Sequence, residues 1–87
     1  MTDAELRELV VRTLTRIAPE AAGEPLDPAV SLRDQLDLDS MDALNFVIGL
    51  HETLGVDIPE TDYVRLATLN DIVAYLAARR ASKSEQP

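Results

Sequence analysis

Apolar residues recur at helical intervals in three separate stretches of this chain, and nowhere do they alternate as a half-buried strand requires. Leu6, Leu9, Val10, Leu14 and Ile17 fall within a sector of roughly 140° on a helical projection, with Arg7, Arg12 and Arg16 outside it. Thr2 and Glu5 have the spacing of a capping box, so a first helix is predicted over residues 3–18, ended by Pro19. A second is expected from Ser40 to Leu54, capped by Asp39 or Ser40 and closed by Gly55 in the left-handed position. Ile58-Pro59 marks a break, and residues 60–66 read as a short third helix. Thr68 opens the last helix, with Asp71 as its capping partner. Leu69, Ile72, Val73, Leu76 and Ala77 form its apolar stripe, and it is expected to end near Arg79 and Arg80, whose charges suit the negative end of the helix dipole.

Between the first two long helices, residues 19–39 read as a long connection interrupted by Gly23, Pro25 and Pro28. A structureless loop of that length is uncommon in a compact domain, so it is either functional or carries a short helical turn, for which Ser31-Leu32-Arg33-Asp34 is the candidate, with some of Val30, Leu32, Leu36 and Leu38 pinning the loop to the core. The 87 residues suffice for one domain and one modest core. Phe46, Tyr63 and Tyr75 are the only aromatics, so the core must be aliphatic, which suits a small helical bundle. Residues 1–80 are assigned to the domain, and the polar stretch 81–87 to a disordered tail.

The net charge of −8 argues against nucleic acid and against anionic membrane surfaces, and fits basic protein partners. No apolar run approaches the ~20 residues of a membrane span, and the first residues lack a basic, apolar leader. The expectation is a soluble cytoplasmic protein. With no cysteine, any thiol function must take its sulfur from a cofactor.

The helix from Ser40 departs from ordinary amphipathicity. Ala43, Phe46, Val47, Leu50 and Leu54 occupy a sector of roughly 100°, enough to face a core. Met41, Leu44 and Ile48 form a second stripe about 150° away. Asp42, Asn45, Gly49 and Glu52 share the narrow polar side. The second stripe either packs under the loop and the short third helix or forms a partner-docking patch rimmed by acid groups. Ser40 itself has two readings on local grounds. It is an ordinary N-cap, or its hydroxyl carries a phosphate-linked group that the free amides of a helix N-terminus tolerate, against the opposition of Asp37, Asp39 and Asp42.

Asp39-Ser40-Met41, preceded by Leu36 and Leu38 and followed by a helix, resembles the phosphopantetheine attachment motif of acyl carrier proteins. Leu44, Val47 and Leu50 stand at family-like positions. Gly55-Val56-Asp57-Ile58-Pro59, Ala67-Thr68-Leu69-Asn70-Asp71 and Tyr75-Leu76 are similar to later segments of the family, so the resemblance covers about residues 3–80. It implies an all-α four-helix bundle with a long loop between helices one and two and a short third helix. It also implies that a phosphopantetheinyl transferase moves a 4′-phosphopantetheine arm from coenzyme A to Ser40, where the arm's thiol holds acyl groups as thioesters. Asp39 would help the transferase recognise the site. Met41, Asp42, Leu44, Asn45, Ile48 and Glu52 would meet acyl-loading and acyl-transferring enzymes. The chain departs from the family at Asp37, where many members have glycine, and at Asn45 and His51, where fatty-acid carriers usually have glutamate. Those departures lead us to expect a specialised lipid or polyketide-type pathway.

Three other readings bear on function. A serine nucleophile needs a base within reach, but His51 lies roughly 16 Å along the same helix, so the chain is expected to be a non-catalytic, monomeric substrate of other enzymes. Asp37, Asp39 and Asp42 read as a solvated loop rather than a metal site. A peptidyl or aminoacyl carrier and a cofactor-free helical interaction module are the alternatives. For an acyl chain drawn inside, Val10, Phe46, Val47, Leu50 and Ile72 are the expected lining, each equally suited to ordinary core.

Overall fold

The computed structural model describes residues 2–23 and 25–84, with side chains through residue 80. Four α-helices and two 3-10 helices follow one another: α1 (Asp3–Ile17), a 3-10 turn (Pro19–Ala22), α2 (Leu32–Leu36), α3 (Ser40–Leu54), a longer 3-10 helix (Glu60–Arg65) and α4 (Leu69–Ser84). The all-α architecture expected from the apolar spacing is the one observed.

The capping box of α1 is formed in both directions. The Glu5 amide donates to Thr2 Oγ1 at 3.2 Å, and the Thr2 amide donates to Glu5 Oε1 at 3.0 Å. Those bonds favour the ionised carboxylate and lower the Glu5 pKa, the backbone bond from Thr2 contributing most. Leu6, Val10 and Leu14 are buried as their spacing requires, whereas Leu9 is only half-buried. Thr13, outside the apolar stripe, is buried with them, its hydroxyl satisfied by the Leu9 carbonyl at 2.9 Å. Together α1, α3 and α4 enclose a core in which Val10, Leu14, Leu50, Ile72 and Leu76 are the largest fully buried side chains.

The connection over 19–39 holds more structure than its composition suggests. Besides the turn at Pro19–Ala22, it carries α2, which runs to Leu36, two residues beyond the expected turn. Leu32, Leu36 and Leu38 enter the core, but Val30 stays exposed. The Gln35 amide knits the loop by accepting from the Asp27 backbone and donating to the carbonyls of Asp27 and Val30. A bridge between Ser31 and Thr68 and the bond from the Asn70 amide to the Pro28 carbonyl at 3.0 Å then tie the loop to the start of α4. Asp37 ends α2 in the left-handed conformation (φ 53°), which explains why glycine is at home at this point.

Two expectations about α3 and α4 need correction. Gly49 was expected on the polar side of α3, yet it faces α1, where a Cβ would lie 2.9 Å from Thr13 Cγ2. Absence of a side chain is what lets the two helices approach here. α4 does not stop at Arg79 and Arg80 but continues to Ser84, so the expected tail begins inside a helix, and residues 85–87 lie outside those described.

Candidate functional site

Chain direction and capping chemistry together decide how Ser40 is presented. Asp39 adopts an extended backbone (φ −90°, ψ 179°), and its carboxylate accepts the Asp42 amide at 2.8 Å. Asp39 is therefore the N-cap. Ser40 is the first helical residue, its side chain exposed, and among the described residues its hydroxyl takes part in no hydrogen bond. The reading of Ser40 as an N-cap is thereby corrected. The Ala43 amide is also taken, by the Asp39 carbonyl at 3.0 Å. Among the described residues this leaves the amides of Ser40 and Met41 as the unpartnered donors of the first turn, suited by direction and dipole to a phosphate oxygen.

Beside Ser40 opens a groove of about 530 Å³ between α2, α3 and the 3-10 helix over residues 60–65. Leu38, Ala43, Leu44, Phe46 and Val47 form one side, and Tyr63, Val64, Leu66 and Ala67 the other, with Ser31, Leu32 and Arg33 at the α2 edge. Of the residues proposed from sequence as an internal lining, Phe46 and Val47 border this groove. Val10, Leu50 and Ile72 do not, because they are fully buried in the bundle core. Sequence reasoning missed Arg33 and Tyr63 as groove residues. Arg33 carried one available signal: it is the sole lysine or arginine between Arg16 and Arg65.

The second stripe of α3 is a surface, not core. Met41, Leu44 and Ile48 are 64%, 41% and 43% exposed, and Val64 on the neighbouring 3-10 helix is 85% exposed. Asn45 and Glu52 are exposed beside them and Asp42 is half-buried, so all six side chains expected at a docking face lie along one helix that begins at Ser40.

The groove's outer wall is held from α4. The Tyr75 hydroxyl donates to Asp62 Oδ2 at 2.6 Å, and the guanidinium groups of Arg65 and Arg79 lie 5.2 and 5.6 Å from the Tyr75 ring centroid. Burial, followed by the bond to Asp62, raises the Tyr75 pKa. Arg79 also donates to the Asp57 carbonyl at 2.8 Å. At the far end of α3, His51 Nδ1 donates to the Val56 carbonyl at 2.9 Å. His51 is committed to closing the helix and does not approach Ser40. Among the described residues, no helix is long and apolar enough to cross a membrane.

The family profile described as a phosphopantetheine attachment site matches residues 4–76. An acyl carrier protein of Rhodococcus erythropolis is 33% identical over 85 residues, covering 94% of this chain and 93% of that protein. One from Renibacterium salmoninarum is 38% identical over 72 residues, with 83% and 84% covered. A meromycolate extension acyl carrier protein of Mycolicibacterium smegmatis is 34% identical over 76 residues, with 84% and 77% covered.

Proposed function

The chain belongs to the acyl carrier protein family, and from that premise we propose that Ser40 is the residue to which its 4′-phosphopantetheine arm is joined. The protein carries acyl groups on that cofactor in a lipid- or polyketide-type pathway. When bound, the arm supplies the thiol that a chain without cysteine lacks. Its transferase and its acyl-handling enzymes are the partners that this role requires.

The observation that supports Ser40 is the division of tasks at the start of α3. Asp39 takes over the cap, so the Ser40 hydroxyl stays exposed and unbonded. In loading, Ser40 Oγ attacks the coenzyme A phosphate that bears pantetheine. An O–P bond forms, the bond to the nucleotide half breaks, and that half leaves with the electron pair. The serine proton passes to a base on the transferase, since His51, the chain's one histidine, is engaged with the Val56 carbonyl at the far end of α3. The amides of Ser40 and Met41, in the first turn of α3, would be the donors that hold the arm's phosphate. Asp39, with one carboxylate oxygen on the Asp42 amide, stands next to Ser40 for the transferase to read.

Met41, Leu44 and Ile48, with Asp42, Asn45 and Glu52 around them, form the face presented to partner enzymes, since an exposed apolar strip with an acidic rim suits transient docking. We place the protein in the cytoplasm as a non-catalytic monomer. Asn45 and His51, where glutamates are usual, support a specialised pathway, as does the similarity to relatives named for meromycolate extension.

Intact mass after incubation with coenzyme A and a broad-specificity phosphopantetheinyl transferase tests the assignment. Wild type gains one arm and Ser40→Ala gains none. A gain that persists in Ser40→Ala moves the site elsewhere. Efficient turnover by a housekeeping ketosynthase and malonyl transferase, equal to that with their own carrier, would remove the specialised-pathway reading.

A further inference from the structure

We propose that Arg33 is the counter-ion of the phosphodiester that links the arm to Ser40. The inference rests on Ser40 being the attachment point and adds a residue that positions the arm. A diester on Ser40 introduces a permanent negative charge within three residues of Asp37, Asp39 and Asp42, in a chain whose net charge is already −8. The helix N-terminus compensates only in part, because Asp39 has taken the Asp42 amide. A cation nearby would offset that charge, and Arg33 is the one charged residue among those that border the Ser40 groove.

Its state supports that task. Arg7 donates to Asn70, Arg12 pairs with Glu8, Arg16 donates to Thr53, and Arg65 and Arg79 cover Tyr75. Arg33 has no hydrogen bond or ion pair among the described residues, although Asp34 adjoins it in sequence. Of the described arginines only Arg80 is likewise without a partner, and Arg80 sits on α4, away from the groove lining. α2 is anchored on both sides of Arg33 by the buried Leu32 and Leu36, so the guanidinium starts from a fixed base. A guanidinium presents a planar fork of donors that matches two phosphate oxygens, which a lysine ammonium does not.

The test uses full-length protein, apo and holo, as wild type, Arg33→Gln and Arg33→Lys. Intact mass first reports the arm on Ser40, and absence of any gain overturns the attachment reading and this one with it. With the arm in place, adding it should lower the Tm of Arg33→Gln relative to wild type by about 1–5 °C at low salt. That difference should shrink at high salt, as for an exposed pair, and Arg33→Lys should fall between. The Arg33 side-chain Nε–Hε resonance should shift between apo and holo wild type. Complete modification with no Tm coupling at low salt and an unmoved Nε–Hε resonance overturns the Arg33 assignment alone. A shift seen only after loading with a dicarboxylic half-thioester, and not in the holo form, also overturns it, because the anion received would then be the cargo's carboxylate.

Discussion

Asp39 Oδ1 accepts the amide of Asp42 at 2.8 Å, so the residue expected to guide the transferase is also the cap of α3. The two tasks separate by substitution. Asp39→Ala should lower stability by about 0.5–2 kcal/mol in urea unfolding, while Asp39→Asn, which caps equally well, should stay within a few tenths of wild type. If the transferase reads the charge, Asp39→Asn loses modification rate as severely as Asp39→Ala.

Where α1 and α3 touch, Thr13 and Gly49 leave no space for another carbon. Thr13 is 2% exposed and its hydroxyl is held by the Leu9 carbonyl, so its Cγ2 cannot swing aside from a new Cβ at 2.9 Å. Gly49→Ala gains about 1 kcal/mol of helix propensity against an overpacking cost of about 1–3 kcal/mol. The expected net is a loss of about 1 kcal/mol in denaturant unfolding. Adding Thr13→Ser, which removes Cγ2 and keeps the hydroxyl, should recover it and leave the double variant more stable than Gly49→Ala alone.

Tyr75→Phe should cost about 1–2 kcal/mol, because Asp62 loses a hydrogen bond made partly out of water. The same tyrosine gives alkaline unfolding a definite sign. Its folded pKa is raised, by burial first and by the Asp62 bond second. The unfolded phenol ionises near pH 10, where the folded one still holds its proton. The contribution is full below pH ~10 and is lost as pH rises through the folded value. Stability curves of wild type and Tyr75→Phe should therefore converge above pH ~10. Parallel curves up to the highest usable pH would contradict this account.

Asp37 holds a left-handed backbone, which costs most side chains about 1–2 kcal/mol but which aspartate, asparagine and glycine tolerate. Asp37→Gly trades relief of strain for a looser unfolded chain, so its stability should lie within about 1 kcal/mol of wild type. Asp37→Val has no such tolerance and should lose more than about 1 kcal/mol. Thermal melts of the pair check both.

Helix positions were readable because each long helix advertises itself twice, through apolar period and through its ends. Thr2 with Glu5, Asp39 before Ser40, Gly55, and Thr68 with Asp71 all sit at helix boundaries in the structure. Less was readable where two distant segments meet. The Thr13–Gly49 contact and the burial of Tyr75 against Asp62 depend on partners 36 and 13 residues away, which no local period encodes. α4 outran its expected end because Arg79 and Arg80 are good helix formers and nothing after them, until Pro87, breaks a helix. At the site, the local chemistry of Ser40 favoured an ordinary cap over a modification point. The resemblance on both sides reversed that order, and Asp39 turned out to hold the cap. The groove, with Arg33 at its edge, needed the three-dimensional arrangement of α2 against α3.

The 3-10 helix over Glu60–Arg65 buries none of its residues, and its attachment to α4 runs through the Tyr75–Asp62 bond and the Arg65 guanidinium on the Tyr75 ring. Fixing it therefore depends on polar ties rather than on the core, and releasing it exposes little apolar surface. Its amides should exchange with solvent through small local openings, far below the free energy that unlocks α1, α3 and the first turns of α4. One wall of the groove thus has its own clock, set apart from the unfolding of the bundle.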